Sequence, residues 1–243
     1  VILHNNRVLA VIPARKGSKR LKGKNKKVLA GKPLIQWTLE AALASPSISE
    51  IFVSTDCEDI CKITADCGVN VPFLRPDAIA HDKSTPAEVI EHALKYYESL
   101  GKVFDWVIWL QPTSPLRTAQ DIGNAIALLK EKKADGIISV CPCEHSPLWA
   151  NRLGENGEMD HFLPDVIKKN PQSQAIKPYH RLNGAIYIAN IKRMKAENNL
   201  FLKDNLFAYE MPAERSADID HELDFKFAEF LMKEFGIATI NTK

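Results

Sequence analysis

The first part of the sequence alternates short apolar runs, typical of buried strands, with longer segments in which apolar residues recur at helical spacing. The predicted strands are Val8 to Pro13, Ile51 to Val53, Val69 to Leu74, Asp105 to Leu110 and Gly136 to Val140. The predicted helices are Pro33 to Ala44, Cys57 to Cys67, Pro86 to Leu100 and Ala119 to Lys132. This alternation predicts an α/β fold in which helices flank a mainly parallel sheet. Ligands of such sheets bind beyond the carboxyl ends of the strands.

The regular pattern stops between Glu144 and Tyr179, where prolines and glycines interrupt short apolar pieces. A structureless insert of this size is improbable inside a compact domain, so we expect the segment to project and pack on another surface. The chain is completed by strands from Gly184 to Ile188 and from Leu206 to Met211, and by a helix from Glu222 to Phe235.

The loop after the first predicted strand carries a dense positive charge. It contains no acid and eight cationic residues, namely Arg15, Lys16, Lys19, Arg20, Lys22, Lys24, Lys26 and Lys27. Gly17 and Gly23 allow backbone N–H groups to approach an anion, and the cations supply the compensating charge. The loop matches neither the P-loop nor the dinucleotide-binding pattern. Its position after a buried strand favours a phosphate site, and the alternative is a solvated basic run or a nucleic-acid patch.

The overall composition restricts the partners that we expect. The net charge of the 243-residue chain is +2, which gives no reason to invoke nucleic acid or an anionic membrane. There is neither an apolar run of about 18 residues nor an export signal, so we expect a soluble, cytoplasmic protein. The five cysteines are odd in number and lack the spacing of a zinc site, which favours reduced thiols.

Asp218 and Asp220 form the sharpest acidic feature of the sequence. Residues two apart in an extended segment face the same side, so both carboxylates can bind one hard cation. Mg²⁺ is the natural candidate for an all-oxygen site beside phosphates. The alternative is that Asp218 caps the last helix while Asp220 is simply exposed. Asp224 is placed to support the start of that helix by complementing its dipole.

The segment from Gln111 to Arg117 directly follows a buried strand, so its side chains are predicted to lie at the ligand-binding edge. Gln111 is a candidate to orient a hydroxyl-rich substrate, and Arg117 is a candidate to bind a phosphate or carboxylate. The alternative is a turn that ends the strand and exposes the arginine. Ser84 is expected to cap the helix that begins near Pro86.

Six motifs are spread between Val8 and Asp224, in an order that a known family shares, and together they span nearly the whole chain. They are Leu9-Ala10-Val11-Ile12-Pro13-Ala14-Arg15-Lys16-Gly17-Ser18-Lys19 with Lys24-Asn25, Val53-Ser54-Thr55-Asp56, Leu74-Arg75-Pro76, Leu110-Gln111-Pro112-Thr113-Ser114-Pro115-Leu116-Arg117, Asn183-Gly184-Ala185-Ile186-Tyr187 and Asp218-Ile219-Asp220. The combination of the six motifs is highly specific for one protein family, although no single motif is. The set resembles the acylneuraminate (CMP-sialic acid) cytidylyltransferases.

The resemblance implies a Rossmann-like nucleotidyltransferase fold. It also implies that the anomeric hydroxyl of a nonulosonic (2-keto-3-deoxy) sugar acid attacks the α-phosphate of CTP and expels pyrophosphate, with Mg²⁺ as cofactor. Residues 1–143 and 181–243 would form the catalytic domain, and residues 144–180 a dimerisation arm that crosses to the partner subunit of a homodimer. The implied partners are CTP and a sugar acid, with no nucleic acid and no membrane.

By the same resemblance, the candidate site residues fall into three groups. The catalytic and triphosphate-binding residues would be Arg15, Lys19 and Lys24, with Gln111 facing the sugar and Asn25, Arg75 and Ser84 near the nucleotide. The sugar-binding residues would be Gln111, Arg181, Asn183, Tyr187 and Phe201. The magnesium ligands would be Asp218 and Asp220.

The sequence departs from the sialic-acid-specific pattern on the sugar side. Trp149 stands where that pattern has a lysine, and Ser173-Gln174 stands where it has an Arg-Gln pair. We hypothesise that Lys177 and Arg181 supply the lost charge for the sugar carboxylate. The acceptor is therefore left open among N-acetylneuraminate, legionaminate and pseudaminate. The alternatives are a nucleotidyltransferase for another sugar acid, such as octulosonate, and a non-catalytic nucleotide-binding or nucleic-acid-binding protein.

Overall fold

The structure of the protein is a computed structural model that describes residues 7–160, 162–165, 167 and 177–236. The strands in this part of the chain are β1 (Val8–Pro13), β2 (Val28–Leu29), β3 (Lys32–Pro33), β4 (Glu50–Ser54), β5 (Trp106–Trp109), β6 (Gly136–Pro142), β7 (His180–Asn190) and β8 (Leu206–Glu210). The α-helices are α1 (Leu34–Leu43), α2 (Glu58–Asp66), α3 (Pro86–Ser99), α4 (Ala119–Lys132), α5 (Ile191–Glu197) and α6 (Glu222–Glu234).

Six strands form one sheet in the order β4-β1-β5-β7-β6-β8, and β2 and β3 form a separate antiparallel pair. Strand β1 runs parallel to both β4 and β5, and β6 runs parallel to β8. Strand β7 is antiparallel to both of its neighbours, β5 and β6. The structure confirms the predicted α/β fold with a mainly parallel sheet. The direction of β7 was not predicted, because apolar content does not distinguish parallel from antiparallel pairing.

Helices cover both faces of the sheet. Successive side chains of β1 point to opposite faces, and each face packs against its own apolar cluster. Ala10 and Ile12 belong to a cluster that includes residues of α1, α2 and α4. Leu9 and Val11 belong to a cluster that includes residues of α3 and α5. All four side chains are fully buried. A third cluster joins α6 to α1 and to the β2–β3 pair. This packing fixes the positions of the loops that follow the strands.

The predicted strand from Val69 to Leu74 is wrong. These residues have no strand structure, and β4 is the edge strand on this side of the described sheet. Pro72 lacks the N–H group that a ladder would need. Val69 is nevertheless buried in the core. The apolar character of this segment therefore reflects packing against the sheet and not pairing within it.

Helix α3 begins at Pro86 as predicted, but its cap is Thr85 and not Ser84. The Glu88 N–H donates to Thr85 Oγ1 at 3.2 Å, and the Thr85 N–H donates to Glu88 Oε2 at 2.7 Å. This reciprocal pair is a capping box. Ser84 Oγ instead lies 3.3 Å from His81 Nδ1. The short helix α5 was not predicted.

The arm predicted for residues 144–180 is described only in part, at residues 144–160, 162–165, 167 and 177–180. A 3-10 helix, Pro147–Trp149, lies near its start, and residues 150–160 are all exposed. Ser173 and Gln174, which mark one departure from the sialic-acid pattern, lie outside the described residues. In the part of the chain that the structure describes, no helix is long and apolar enough to cross a membrane.

Candidate active site

Three segments meet beyond the carboxyl ends of β1 and β5. We call them the basic loop (residues 15–27), the Gln111 turn (residues 111–117) and the acidic segment (residues 218–220). Together they line a cavity of about 440 Å³. The predicted site residues that line it are Arg15, Lys19, Lys24, Asn25, Gln111 and Asp220. The structure therefore brings together the three parts that the sequence predicted separately.

Cavity size alone does not identify this site. A cavity of similar size, about 400 Å³, lies beside the edge strand β4 and is lined by residues that include Glu50, Tyr97 and Lys102. None of the predicted site residues lines it. The cavity at the basic loop differs in its charge, since four cationic side chains line it together with two carboxylates.

Hydrogen bonds hold the basic loop in place. The Lys16 N–H donates to Asp56 Oδ1 at 2.6 Å, just beyond the end of β4. Asn25 is buried, and its side-chain amide donates to Arg15 O at 3.3 Å, which closes the loop on itself. Lys24 Nζ donates to a backbone carbonyl of the acidic segment at 2.6 Å. The loop is therefore a fixed frame that presents its cations to the cavity.

Asp82 neutralises two cations of the basic loop. Arg15 Nη1 lies 2.6 Å from Asp82 Oδ1, and Lys19 Nζ pairs with the other carboxylate oxygen. Hydrogen bonds from Lys19 and Arg15 hold the pKa of Asp82 below its usual range. The sequence analysis missed this residue, because a single acid on a loop carries no pattern. Its role depends on which loops the fold brings together.

Asp220 neutralises two further cations. Arg20 Nη1 lies 2.6 Å from Asp220 Oδ2, and Lys24 Nζ lies 3.2 Å from Asp220 Oδ1. The pKa of Asp218 is raised, because surrounding protein atoms partly displace its water and the negative charge of Asp220 adds to the effect. The carboxyl group of Asp218 is itself exposed to solvent. Two carboxylates that repel each other at a solvent-accessible position fit an oxygen site for a cation.

The acidic segment is held in an extended form. The Ile219 N–H donates to Thr113 O at 2.8 Å, and the Ile219 side chain is fully buried. Helix α6 begins directly after the segment, with His221 at its cap position and Asp224 accepting from the Asp220 and His221 N–H groups. The alternative in which Asp218 caps this helix is therefore wrong. Asp224 supports the helix start as predicted.

Arg117 is buried and does not line the cavity, contrary to the predicted display of its side chain at the ligand-binding edge. It is 2% exposed, and its guanidinium donates to Ala185 O at 2.9 Å and to Thr38 Oγ1 at 2.7 Å. The alternative of an exposed arginine is equally wrong. Gln111, at the other end of the turn, does face the cavity. A Cβ atom at Gly184 would lie 3.4 Å from Gln111 Nε2 and 3.6 Å from Asp218 Oδ2, so the three groups are close neighbours.

The predicted sugar-binding residues divide into open and buried groups. Arg181 is partly exposed and donates to both carboxylate oxygens of Glu144, at 2.8 and 3.3 Å. The rings of Tyr187 and Phe201 pack edge to face with centroids 5.3 Å apart, and Phe201 is exposed.

Asn183 is fully buried and engaged within the protein. Its amide donates to Ser216 Oγ at 3.0 Å, and its carbonyl accepts from Ser139 Oγ at 2.6 Å. The side chain is therefore held in the interior through both its amide and its carbonyl group.

Arg75 and Ser84 are not among the residues that line the cavity. Arg75 is buried, and its guanidinium donates to Ser54 Oγ at 2.8 Å and to Ser54 O at 2.6 Å. Burial lowers the pKa of Arg75 to about 10. It therefore braces the end of β4, which in turn holds the basic loop.

Comparison with known proteins identifies the family. A family model described as cytidylyltransferase matches residues 9–189. The chain belongs to the cytidylyltransferase family. Among the relatives of this cytidylyltransferase, the CMP-N,N'-diacetyllegionaminic acid synthase of Legionella pneumophila is 36% identical over 227 residues, which cover 93% of this chain and 97% of the relative.

Other relatives of this cytidylyltransferase differ in length. The pseudaminic acid cytidylyltransferase of Campylobacter jejuni is 30% identical, with 93% of this chain and 96% of the relative covered. The N-acylneuraminate cytidylyltransferase of Escherichia coli is 36% identical, with 91% of this chain covered but only 51% of the relative. The chain thus spans about half the length of the N-acylneuraminate cytidylyltransferases that it matches.

A solved structure described as CMP:2-keto-3-deoxy-manno-octonic acid synthetase complexed with CTP has the same fold. The TM-score is 0.69 at 18% identity, with 94% of this chain and 99% of that chain covered. Identity this low shows the likeness of the fold alone.

Proposed function

We propose that this cytidylyltransferase transfers CMP from CTP to the anomeric hydroxyl of a nonulosonic acid and releases pyrophosphate. The observation that carries the proposal is the meeting of the basic loop, Gln111 and the acidic segment in one cavity. The relatives support the acceptor class, because their names specify legionaminic, acylneuraminic and pseudaminic acids. Such a transfer depends on positioning and charge neutralisation in an in-line displacement.

On the nucleotide side, Arg15, Lys19 and Lys24 would exchange their present carboxylate partners for phosphate oxygens. A pair of unit charges about 4 Å apart is worth roughly 4 kcal/mol at an effective dielectric constant near 20, so two or three contacts can hold a triphosphate. Asn25 would keep the loop closed, and Arg75 would act through the end of β4. Both proposals follow from the hydrogen bonds of these buried side chains.

Asp218 and Asp220 would hold a magnesium ion together with phosphate oxygens and water. Within the described residues no group of three or more His, Cys, Asp or Glu side chains is placed to bind a metal, so ligands from the nucleotide are required. A bound magnesium ion supplies charge neutralisation at the phosphates. The contribution of the chain would be to hold Asp220 at the cavity, with Asp218 near it and Lys24 paired to it.

On the acceptor side, Gln111 and Arg181 would contact the sugar acid, with Tyr187 and Phe201 forming an apolar wall. Arg181 is the candidate for the sugar carboxylate, because it is partly exposed and lies close enough to Asp218 to interact with its charge. Asn183 would support this group from the interior, where its side chain is bonded to Ser139 and Ser216.

We further propose that the chain acts as a homodimer through residues 144–180. The exposure of residues 150–160 supports this proposal, as do the exposed aromatic side chains of Trp149 and Tyr179. We also propose a cytoplasmic location, which the five free cysteines support.

The direct test is pyrophosphate release from CTP and magnesium with a panel of sugar acids. We expect release with N-acetylneuraminate, legionaminate or pseudaminate. Release with octulosonate alone would favour the alternative acceptor. Steeply salt-dependent binding to polynucleotide without any pyrophosphate release would favour a nucleic-acid-binding protein.

The same assay tests the acidic segment. Asp220→Ala should lower turnover by at least about 100-fold, the usual scale for the loss of one preorganised charge contact. Asp66→Ala is the matched control, because Asp66 is an exposed acid at the carboxyl end of α2. Near-normal release from the Asp220 variant would contradict the assignment.

A further inference from the structure

We propose that Asp82 is a positioning residue that holds Arg15 and Lys19 while the cavity is empty and yields them to phosphate oxygens when nucleotide binds. Its carboxylate would thus compete with triphosphate and pyrophosphate for the same two cations. The inference rests on the proposed function, because it requires that the cavity binds phosphates.

Asp82 and its two partners, Arg15 and Lys19, line the same cavity but come from different segments of the chain. Asp82 lies on the segment between α2 and α3, whereas both of its partners belong to the basic loop after β1. Each carboxylate oxygen takes one cation, Arg15 at 2.6 Å and Lys19 in an equally direct contact. Asp82 therefore occupies the two cations of the basic loop that would meet phosphate.

The pairs are exposed enough to exchange. The Asp82 and Lys19 side chains are 43% and 79% exposed, and ion pairs at this exposure are weak because water screens them. A triphosphate or a pyrophosphate carries several charges and can engage both cations at once. Displacement of a single carboxylate by such an anion is therefore favourable, and the carboxylate can retake the cations when the anion leaves.

Asp82 and Asp220 are not equivalent, although each pairs with two cations of the basic loop. Asp220 stands beside Asp218 and raises its pKa, as expected for two oxygen ligands of one cation. The groups that act on Asp82 are Lys19 and Arg15. Removing the charge of Asp82 should consequently free two cations, whereas removing the charge of Asp220 should damage the proposed metal site.

The exchange has a kinetic consequence. A carboxylate that competes equally with substrate triphosphate and product pyrophosphate weakens the binding of both. Competition by Asp82 would lower the affinity for CTP. It would also speed the release of pyrophosphate, because Asp82 pairs again with Arg15 and Lys19 as the product leaves. Asp82 would thereby keep the product from occupying the basic loop.

The test compares Asp82→Asn with Asp77→Asn. Asp77 is exposed on the same loop, so its variant removes the same charge without the contacts to Arg15 and Lys19. Pyrophosphate and CTP affinities are measured by titration calorimetry at fixed salt without acceptor. Asp82→Asn should tighten pyrophosphate binding about three- to tenfold, the scale of one or two exposed ion pairs. The control should change it by less than about twofold. Unchanged or weaker binding in Asp82→Asn would overturn the inference.

A second set of variants separates competition from a general charge effect. Lys19→Met should cost more pyrophosphate affinity in the Asp82→Asn background than in the wild type, because wild-type Lys19 must give up its ion pair with Asp82 to gain the phosphate contact. Equal or smaller losses would contradict the inference.

The outcomes also separate this inference from the proposed function. A wild-type protein that binds neither CTP nor pyrophosphate would overturn both. A wild-type protein that binds CTP and releases pyrophosphate, while Asp82→Asn fails to tighten the product, would overturn the role of Asp82 alone.

Discussion

Arg15 and Arg117 both follow strands of the same parallel sheet, yet the structure gives them opposite surroundings. The side chain of Arg15 is 34% exposed and pairs with a carboxylate that a ligand can displace. Arg117 is almost fully buried and donates to Ala185 O and Thr38 Oγ1. Burial lowers its pKa, and the negative charge of Asp121 offsets this effect only in part. One arginine is placed for exchange of partners, and the other is part of the framework.

The same contrast separates two acids. Asp82 is exposed and pairs with two cations that line the same cavity. Asp121 is 1% exposed, accepts from the Thr118 N–H at 3.0 Å at the start of α4, and pairs with Arg215 at 2.8 Å. The site therefore consists of a buried framework that fixes its shape and an exposed set of charges that responds to a ligand. Substitutions in the two sets should be distinguishable by experiment.

The largest expected effect comes from Arg117→Ala. The change removes the donors that satisfy Ala185 O and Thr38 and leaves a cavity, and such losses cost about 3–5 kcal/mol in the free energy of unfolding. At about 2–4 °C per kcal/mol for a chain of this size, the Tm should fall by about 6–20 °C in a thermal scan. Arg15→Ala serves as the control and should stay within about 2 °C. Equal decreases in Tm for the two variants would contradict the contrast between a buried, structural Arg117 and an exposed Arg15.

Arg15→Ala should have the next largest effect, on turnover. Loss of one preorganised charge contact typically lowers the rate by about 100-fold, or about 2.7 kcal/mol in the activation free energy. Pyrophosphate release with CTP and the preferred acceptor measures it. Arg7→Ala, a change at an exposed arginine at the other end of β1, should leave turnover within about twofold. A small change in the Arg15 variant would show that the basic loop does not act on the phosphates.

The sequence predicted the framework of the fold better than its details. Strands such as β1 and β5 are continuous apolar runs, and helices such as α1 and α4 have apolar residues at regular spacing, so local pattern was sufficient. Residues 69–74 have the same apolar content but contain Pro72 and pack without pairing. The direction of β7 depends on how the arm returns the chain to the sheet, which no local pattern records.

The sequence predicted those parts of the candidate site in which several residues of the same charge lie close together in the chain. The basic loop and the pair Asp218 and Asp220 belong to this class. The burial of Arg117 and Asn183 was not predicted, because a polar residue after or within a strand can face either a ligand or the interior. Only packing decides, as the bonds of Asn183 to Ser139 and Ser216 show. Asp82 was missed because its partners are remote in sequence.

The smallest of these effects concerns the pH dependence of stability at Asp121. Burial raises the pKa of Asp121, but hydrogen bonds from Arg215 and Thr118 outweigh it, so that the net pKa is lowered. A carboxyl group with a lowered pKa stabilises the fold above its unfolded pKa of about 3.9 and loses this contribution as the pH falls through its folded pKa. The contribution of Asp121 should therefore be complete at neutral pH.

Asp121→Asn should lower the free energy of unfolding by about 1–2 kcal/mol at pH 7, the scale of a charge-assisted hydrogen bond. The difference from the wild type should shrink below about pH 4, where the wild-type carboxylate itself becomes protonated. Urea unfolding at neutral and acidic pH measures both values. Asp82→Asn should show no resolvable difference at either pH, because its ion pairs are exposed. If the difference in unfolding free energy between Asp121→Asn and the wild type stays constant with pH, Asp121 stabilises the fold through its shape and not through its charge.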